Sequence, residues 1–159
     1  MLPMTDDLIS RLEQQERDLV FTRFDYADAW ALGSLLVELA NQRGLPVAVD
    51  IRRGTQQLFH AALPGSTADN DAWIERKVRV VQRYGASSYL VGRRLAAKGG
   101  QLDAGMGVDP KDYAAHGGAF PVRVPGVGVV GVVTVSGLPQ ADDHALVVEA
   151  VERFRDGVS

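Results

Sequence analysis

Residues 129–136, VVGVVTVS, are apolar on both faces of an extended chain. Successive side chains of a strand point to opposite sides. Val129, Gly131, Val133 and Val135 therefore share one face, and Val130, Val132, Thr134 and Ser136 the other. A strand half exposed to water alternates apolar with polar residues. This one does not, so it has to be central and covered on both sides. A chain carrying it must build a sheet around it and pack further elements on that sheet.

The flanking segments supply both. AFPVRV, residues 119–124, precedes the central strand and joins it through the tight turn PGVG. VAVDI (47–51) and TQQLFHAAL (55–63) form a second hairpin about the turn Arg52–Gly54, and LVFTRF (19–24) reads as another extended piece. Strands joined by tight turns pair antiparallel, which predicts an antiparallel sheet of about five strands. Helices are predicted over residues 5–18, 25–44, 70–85, 87–99 and 140–155. Thr5 caps the first, whose apolar stripe (Leu8, Ile9, Leu12) is thin, as suits packing at an edge or against another subunit. Asp25 and Asp28 open the second, and Leu32, Leu35, Leu36 and Leu39 form its core face. Asn70 or Asp71 caps the third, which turns Trp73, Val80 and Val81 toward the core. Asp109-Pro110 predicts a short helix over 111–116, ended by Gly117 in a left-handed cap. Strands grouped apart from helices make the fold α+β. At 159 residues the chain is read as a single domain, residues 1–159.

Composition narrows the function. A chain that is 46% hydrophobic and 23% charged fits a soluble globular protein. A net charge of -3 gives no global attraction to nucleic acid or to an anionic membrane. The absence of cysteine removes disulfides, thiolate metal sites and cysteine nucleophiles. The N-terminus is acidic and polar, unlike a signal peptide, and no window approaches the ~18 apolar residues of a membrane span. A cytoplasmic protein is expected, with neither nucleic acid nor membrane as partner.

Few motifs carry chemistry. There is no P-loop, and GVGVVG at 126–131 lies in a turn and a strand, where no helix N-terminus faces a pyrophosphate. The three histidines, His60, His116 and His144, lack the spacing of a helical zinc site. Asp142, Asp143 and His144 read as a solvated helix start, and Ser136 as strand-end turn chemistry. Seven basic residues and no acid lie between Arg76 and Lys98. Most belong to a solvated face, but Lys77 falls between Trp73 and Val80, and a buried lysine needs an anionic partner. His116 stands before Gly117 and Gly118. The pair can simply end a helix, or it can let a ligand approach the backbone while the imidazole binds a metal.

The path LPGSTADNDAWIERK, SSYLVGRRLAAKG and DYAAHGGAFPVRVPGVGVVGVVTVSGLPQADDHALVVEA resembles the haem-degrading-domain family, also called GlcG/HbpS-like, nearest its uncharacterised-protein branch. The resemblance implies a two-layer α+β sandwich of the profilin-like, PAS/GAF-like class that assembles into dimers or larger homo-oligomers, and the thin stripe of the helix 5–18 suits it to such contacts. It also implies a small-molecule ligand, with haem or a related tetrapyrrole as cofactor and slow haem breakdown in the better-studied branch. The family's lysine-containing helix maps onto Lys77. Its glycine-glycine-proline segment maps onto Gly117, Gly118 and Pro121, and its small-residue turn onto Ser136-Gly137. The chain has no histidine before His60, so His116 becomes the candidate haem-iron ligand. Lys77 and the Gly117 and Gly118 amides would then receive propionates, and Trp73 and Tyr113 would supply flat walls. Two other readings stay open: an oligomeric structural or adaptor protein without catalysis, and an enzyme acting on a small carboxylate with Lys77 and His116 as charge partners.

Overall fold

The computed structural model describes residues 2–157, with side chains from Asp7 onward. In chain order the elements are α1 (Leu2–Asp18), α2 (Tyr26–Gln42), β1 (Ala48–Arg53), β2 (Gln56–Ala62), α3 (Ala68–Tyr84), α4 (Ser88–Ala97), β3 (Ala119–Val124), β4 (Gly128–Ser136) and α5 (Gln140–Gly157). A short 3-10 turn, Ala104–Met106, lies between α4 and β3. The fold is α+β, built on one antiparallel sheet in the order β2-β1-β4-β3.

β4 is the central strand its sequence requires, with β1 on one side and β3 on the other. Val133 and Val135 face a core built with α2 and α5. Val132 faces a second core with Ile74, Val78 and Val81 of α3. Helices thus cover both faces of the sheet, and β4 is buried from Gly131 to Ser136. Its first residues escape: Val129 is exposed at the hairpin end.

Among the described residues four strands form where about five were expected. Residues 19–24 make one sheet-like bond, from the Phe21 amide to the Arg123 carbonyl, and no ladder. Leu19, Phe21 and Phe24 are buried there, and the Phe21 and Phe24 rings meet edge-on with centroids 5.4 Å apart. Side-chain anchoring, not strand pairing, fixes this connection.

The helix expected over 111–116 is also absent; only a turn at residues 110–112 forms. Asp109 accepts from the Lys111 amide at 2.9 Å, as an N-cap would. The helix then has nowhere to grow, because its backbone groups are engaged elsewhere. The Ala114 amide donates to the Arg76 carbonyl at 3.1 Å. The guanidinium groups of Arg76 and Arg79 donate to the carbonyls of Pro110 and Asp112. Part of the basic face of α3 therefore holds this segment down. Gly117 takes no left-handed cap conformation; the positive φ, +140°, falls on Gly118 instead.

Local helix signals otherwise hold. Asp25 and Asp28 form a reciprocal capping box. α3 begins at Ala68 with Thr67 as its cap, three residues before the expected Asn70 and four before Asp71, and the Asn70 side chain reaches back to the Thr67 amide. The Thr5 cap lies outside the described side chains. Leu8, Ile9 and Leu12 of α1 pack with Leu90 and Val91 of α4. No described helix is long and apolar enough to cross a membrane.

Candidate functional site

α3 lies along the sheet with Ile74, Val78 and Val81 turned inward, and Lys77 shares that face at helical spacing. Its stem runs to the end of β4, where Nζ donates to Asp143 Oδ2 at 3.1 Å and to the Val135 carbonyl at 3.3 Å. Both members of the pair are buried, at 3% and 1% exposure. Asp143 sits in the first turn of α5, and its two oxygens also accept the amides of Leu138 (2.9 Å) and Gly137 (3.3 Å). The carboxylate therefore ties the β4–α5 turn to α3. Burial pushes the Lys77 ammonium below its ordinary range, against the pull of Asp143. Burial likewise pushes the Asp143 carboxyl up, opposed by Lys77 and the two amides.

Asp143 and His144 are thus buried, not the solvated helix start that their local sequence suggests; of the three, Asp142 alone is exposed. A helix dipole accounts for the acid but not for its partner across the fold. His144 faces Gln15 Oε1 at 2.9 Å and packs on Tyr89, and burial lowers its pKa from 6.5 to about 4. Between those values the unfolded chain binds a proton that the folded chain refuses. Stability present above pH 6.5 should fall by about 3 kcal/mol as pH drops toward 4, at ~1.36 kcal/mol per pH unit. Urea unfolding across that range should show the slope in wild type and lose most of it in His144→Gln; equal slopes would refute the assignment.

His116 stands where two clefts meet. The first, of about 270 Å³, is lined by Asn70, Trp73, Lys77, Ser136, Gln140 and Asp143 along with His116. The second, of about 280 Å³, carries Arg76, Arg93 and Tyr113 on the other side of His116. The His116 ring is exposed and meets Trp73 edge-on, with centroids 5.3 Å apart. Arg76 stacks over the other ring of this pair, 4.5 Å from the Trp73 centroid. Partial burial lowers the His116 pKa, and the charges of Lys77, Arg76 and Arg93 lower it further. The imidazole is therefore neutral at physiological pH and has a lone pair to offer.

Of the residues singled out in the sequence, Trp73, Lys77, His116 and Ser136 converge on one cleft. Tyr113 lines the other. Gly117 and Gly118 are buried behind His116 as packing positions. The Gly117 amide already donates to Gln140 Oε1 at 3.0 Å. Sequence reasoning missed Asn70, Gln140 and Asp143, because each has an adequate local role at a helix start. The requirement for an anion opposite Lys77 was a usable signal, but it could not say which acid.

Residues 24–152 match the family model described as haem degrading protein HbpS-like. The chain belongs to the HbpS-like family. A UPF0303 protein of Streptomyces coelicolor (strain ATCC BAA-471 / A3(2) / M145) is 67% identical over 150 residues, covering 94% of this chain and 95% of that one. Among solved structures, Ybr137w superposes with a TM-score of 0.85 at 32% identity, covering 94% of this chain and 88% of that one. A PduOC:heme complex superposes with a TM-score of 0.67 at 16% identity, covering 81% and 93%, and so shares the fold.

An HbpS-like chain can be tested against haem residue by residue. His116, neutral and exposed, would hold a haem iron through its imidazole lone pair. Arg76 and Arg93 border the same histidine and fit carboxylate partners. The Lys77 charge is already balanced by Asp143, which leaves one N–H proton rather than a free cation for a carboxylate. Neither cleft reaches the ~300 Å³ lower end of enclosed small-molecule sites, so a porphyrin is not enclosed by this chain's own walls. Among the described residues no cluster of three or more His, Asp or Glu side chains could hold a bare metal ion.

Proposed function

We propose that this HbpS-like protein binds a haem-related tetrapyrrole at its surface, with His116 as the iron ligand. The observation that carries the reading is the exposed, neutral imidazole at the junction of two clefts, bordered by Arg76 and Arg93. Family membership and the likeness to a protein solved with heme support it. In this reading Trp73 and Tyr113 offer aromatic surface on either side of His116, and the two arginines hold the propionates. Haem would supply the iron chemistry, and the chain's own contribution is to bind and orient the group. In this reading the protein works in the cytoplasm, as its composition suggests, and as a homo-oligomer, as the family resemblance implies. Trp30, 67% exposed beside the edge strand β2, favours self-association.

A haem titration followed by absorbance tests the reading. Wild type should shift the Soret band with saturation at one haem per site, and His116→Ala should abolish the shift. An identical shift in His116→Ala, or none in wild type, overturns it.

A further inference from the structure

We propose that the cleft walled by Asn70, Trp73, Lys77 and Gln140 is a site for a small monocarboxylate with a second acceptor on the neighbouring carbon, a hydroxy or oxo acid. The cleft shares Trp73 and His116 with the haem surface proposed above, but its ligand chemistry does not rest on that reading. Its chemistry follows from which atoms the fold has already used.

The Asn70 side-chain oxygen accepts the Thr67 amide at 2.8 Å. The Gln140 oxygen accepts the Gly117 amide at 3.0 Å. Both amides are thereby oriented, and each leaves its NH₂ group for the cleft. Neither nitrogen donates a hydrogen bond among the described residues. Trp73 has a donor and no acceptor. Lys77 has three protons and two partners, Asp143 and the Val135 carbonyl. The Asp143 oxygens, the one strong acceptor in the walls, are occupied by Lys77 and by the Gly137 and Leu138 amides. Ser136 and His116 complete the lining with groups that can accept or donate according to protonation and rotation. The walls are thus donor-rich, and they suit a ligand made mostly of acceptors.

Size and charge narrow the ligand. A volume of about 270 Å³ corresponds to about nine waters at ~30 Å³ each, which admits a small acid together with a few bridging waters. A dianionic phosphate is best met by arginine forks. Among the described residues the one cation in these walls, Lys77, is already balanced by Asp143, and Arg76 lines the neighbouring cleft instead. A single carboxylate beside a hydroxyl or carbonyl matches the donors available.

Calorimetric titration of the haem-free protein with pyruvate and lactate, with propionamide as the neutral control, tests this. Wild type should bind at least one acid saturably and propionamide at least about tenfold more weakly. Gln140→Glu and Asn70→Asp each keep the oxygen that the backbone uses and replace the donor by an acidic oxygen. Each should weaken the acid at least about tenfold while the melting temperature of the free protein stays near that of wild type. No saturable binding of either acid, propionamide binding as well, or both variants within twofold of wild type overturns the proposal. A haem titration of Gln140→Glu runs beside it. An intact Soret response with lost acid binding supports an acid site whose amide donors haem does not use, and joint loss overturns it.

Discussion

Asp143→Ala should lower the unfolding free energy by about 3–5 kcal/mol, the usual effect of breaking a buried ion pair from one side. The substitution leaves the Lys77 ammonium buried with only the Val135 carbonyl, and it removes the acceptor of the Gly137 and Leu138 amides. Lys77→Met should cost less, because the remaining carboxyl keeps those two amides and can take up a proton. The double variant Lys77→Met/Asp143→Leu should recover part of the Asp143→Ala loss, since no charge then stays buried. Urea denaturation of the set at pH 7 measures all three. If Asp143→Ala and Lys77→Met both fall within about 1 kcal/mol of wild type, the pair does not hold the fold together.

Gly118→Ala should be comparably damaging, at about 3–5 kcal/mol, from two sources: a strained backbone and an overfilled site. Gly118 has φ +140°, a conformation rarely adopted by L side chains. A β-carbon there would overlap the Val135 carbonyl oxygen and stand 2.8 Å from Lys77 Nζ. Gly126 separates the two sources, since its φ is also positive, at +81°, but a β-carbon there meets nothing within 4 Å. Gly126→Ala should therefore cost only about 1–2 kcal/mol. Equal effects at the two positions in thermal or chemical unfolding would show that packing behind His116 is not what demands glycine at 118.

The central sheet was legible because its signal is a period. VVGVVTVS has one arrangement that buries both faces, and AFPVRV is tied to it by a tight turn. The Asp25 capping box was legible because its partners are three residues apart. What was hidden is what depends on distant partners. Asp109-Pro110 carries sound helix-start chemistry, yet Arg76 and Arg79 of α3 claim the backbone that a helix would need. LVFTRF has strand composition, but its aromatic side chains found a core before its backbone found a ladder. Lys77 announced that it needed an anion, and Asp143 answers from 66 positions away. At that range sequence shows both residues but not their meeting. Asn70 and Gln140 were hidden differently: their oxygens do ordinary capping and turn work, and only the structure shows that the other half of each amide is left over.

The bond between Lys77 and Asp143 also dates the site within the folding of the chain. α3 and the segment 113–118 precede α5 in sequence, so a growing chain has the lysine and His116 in hand before their anchor exists. Until α5 docks, Lys77 faces the end of β4 with no counter-charge, and the turn at Gly137 and Leu138 has no acceptor for its amides. A nascent or truncated chain ending before residue 137 therefore carries most of the cleft's lining without the element that closes it. The cleft matures with the last helix, and any motion that lifts α5 dismantles its floor and its ion pair in one step.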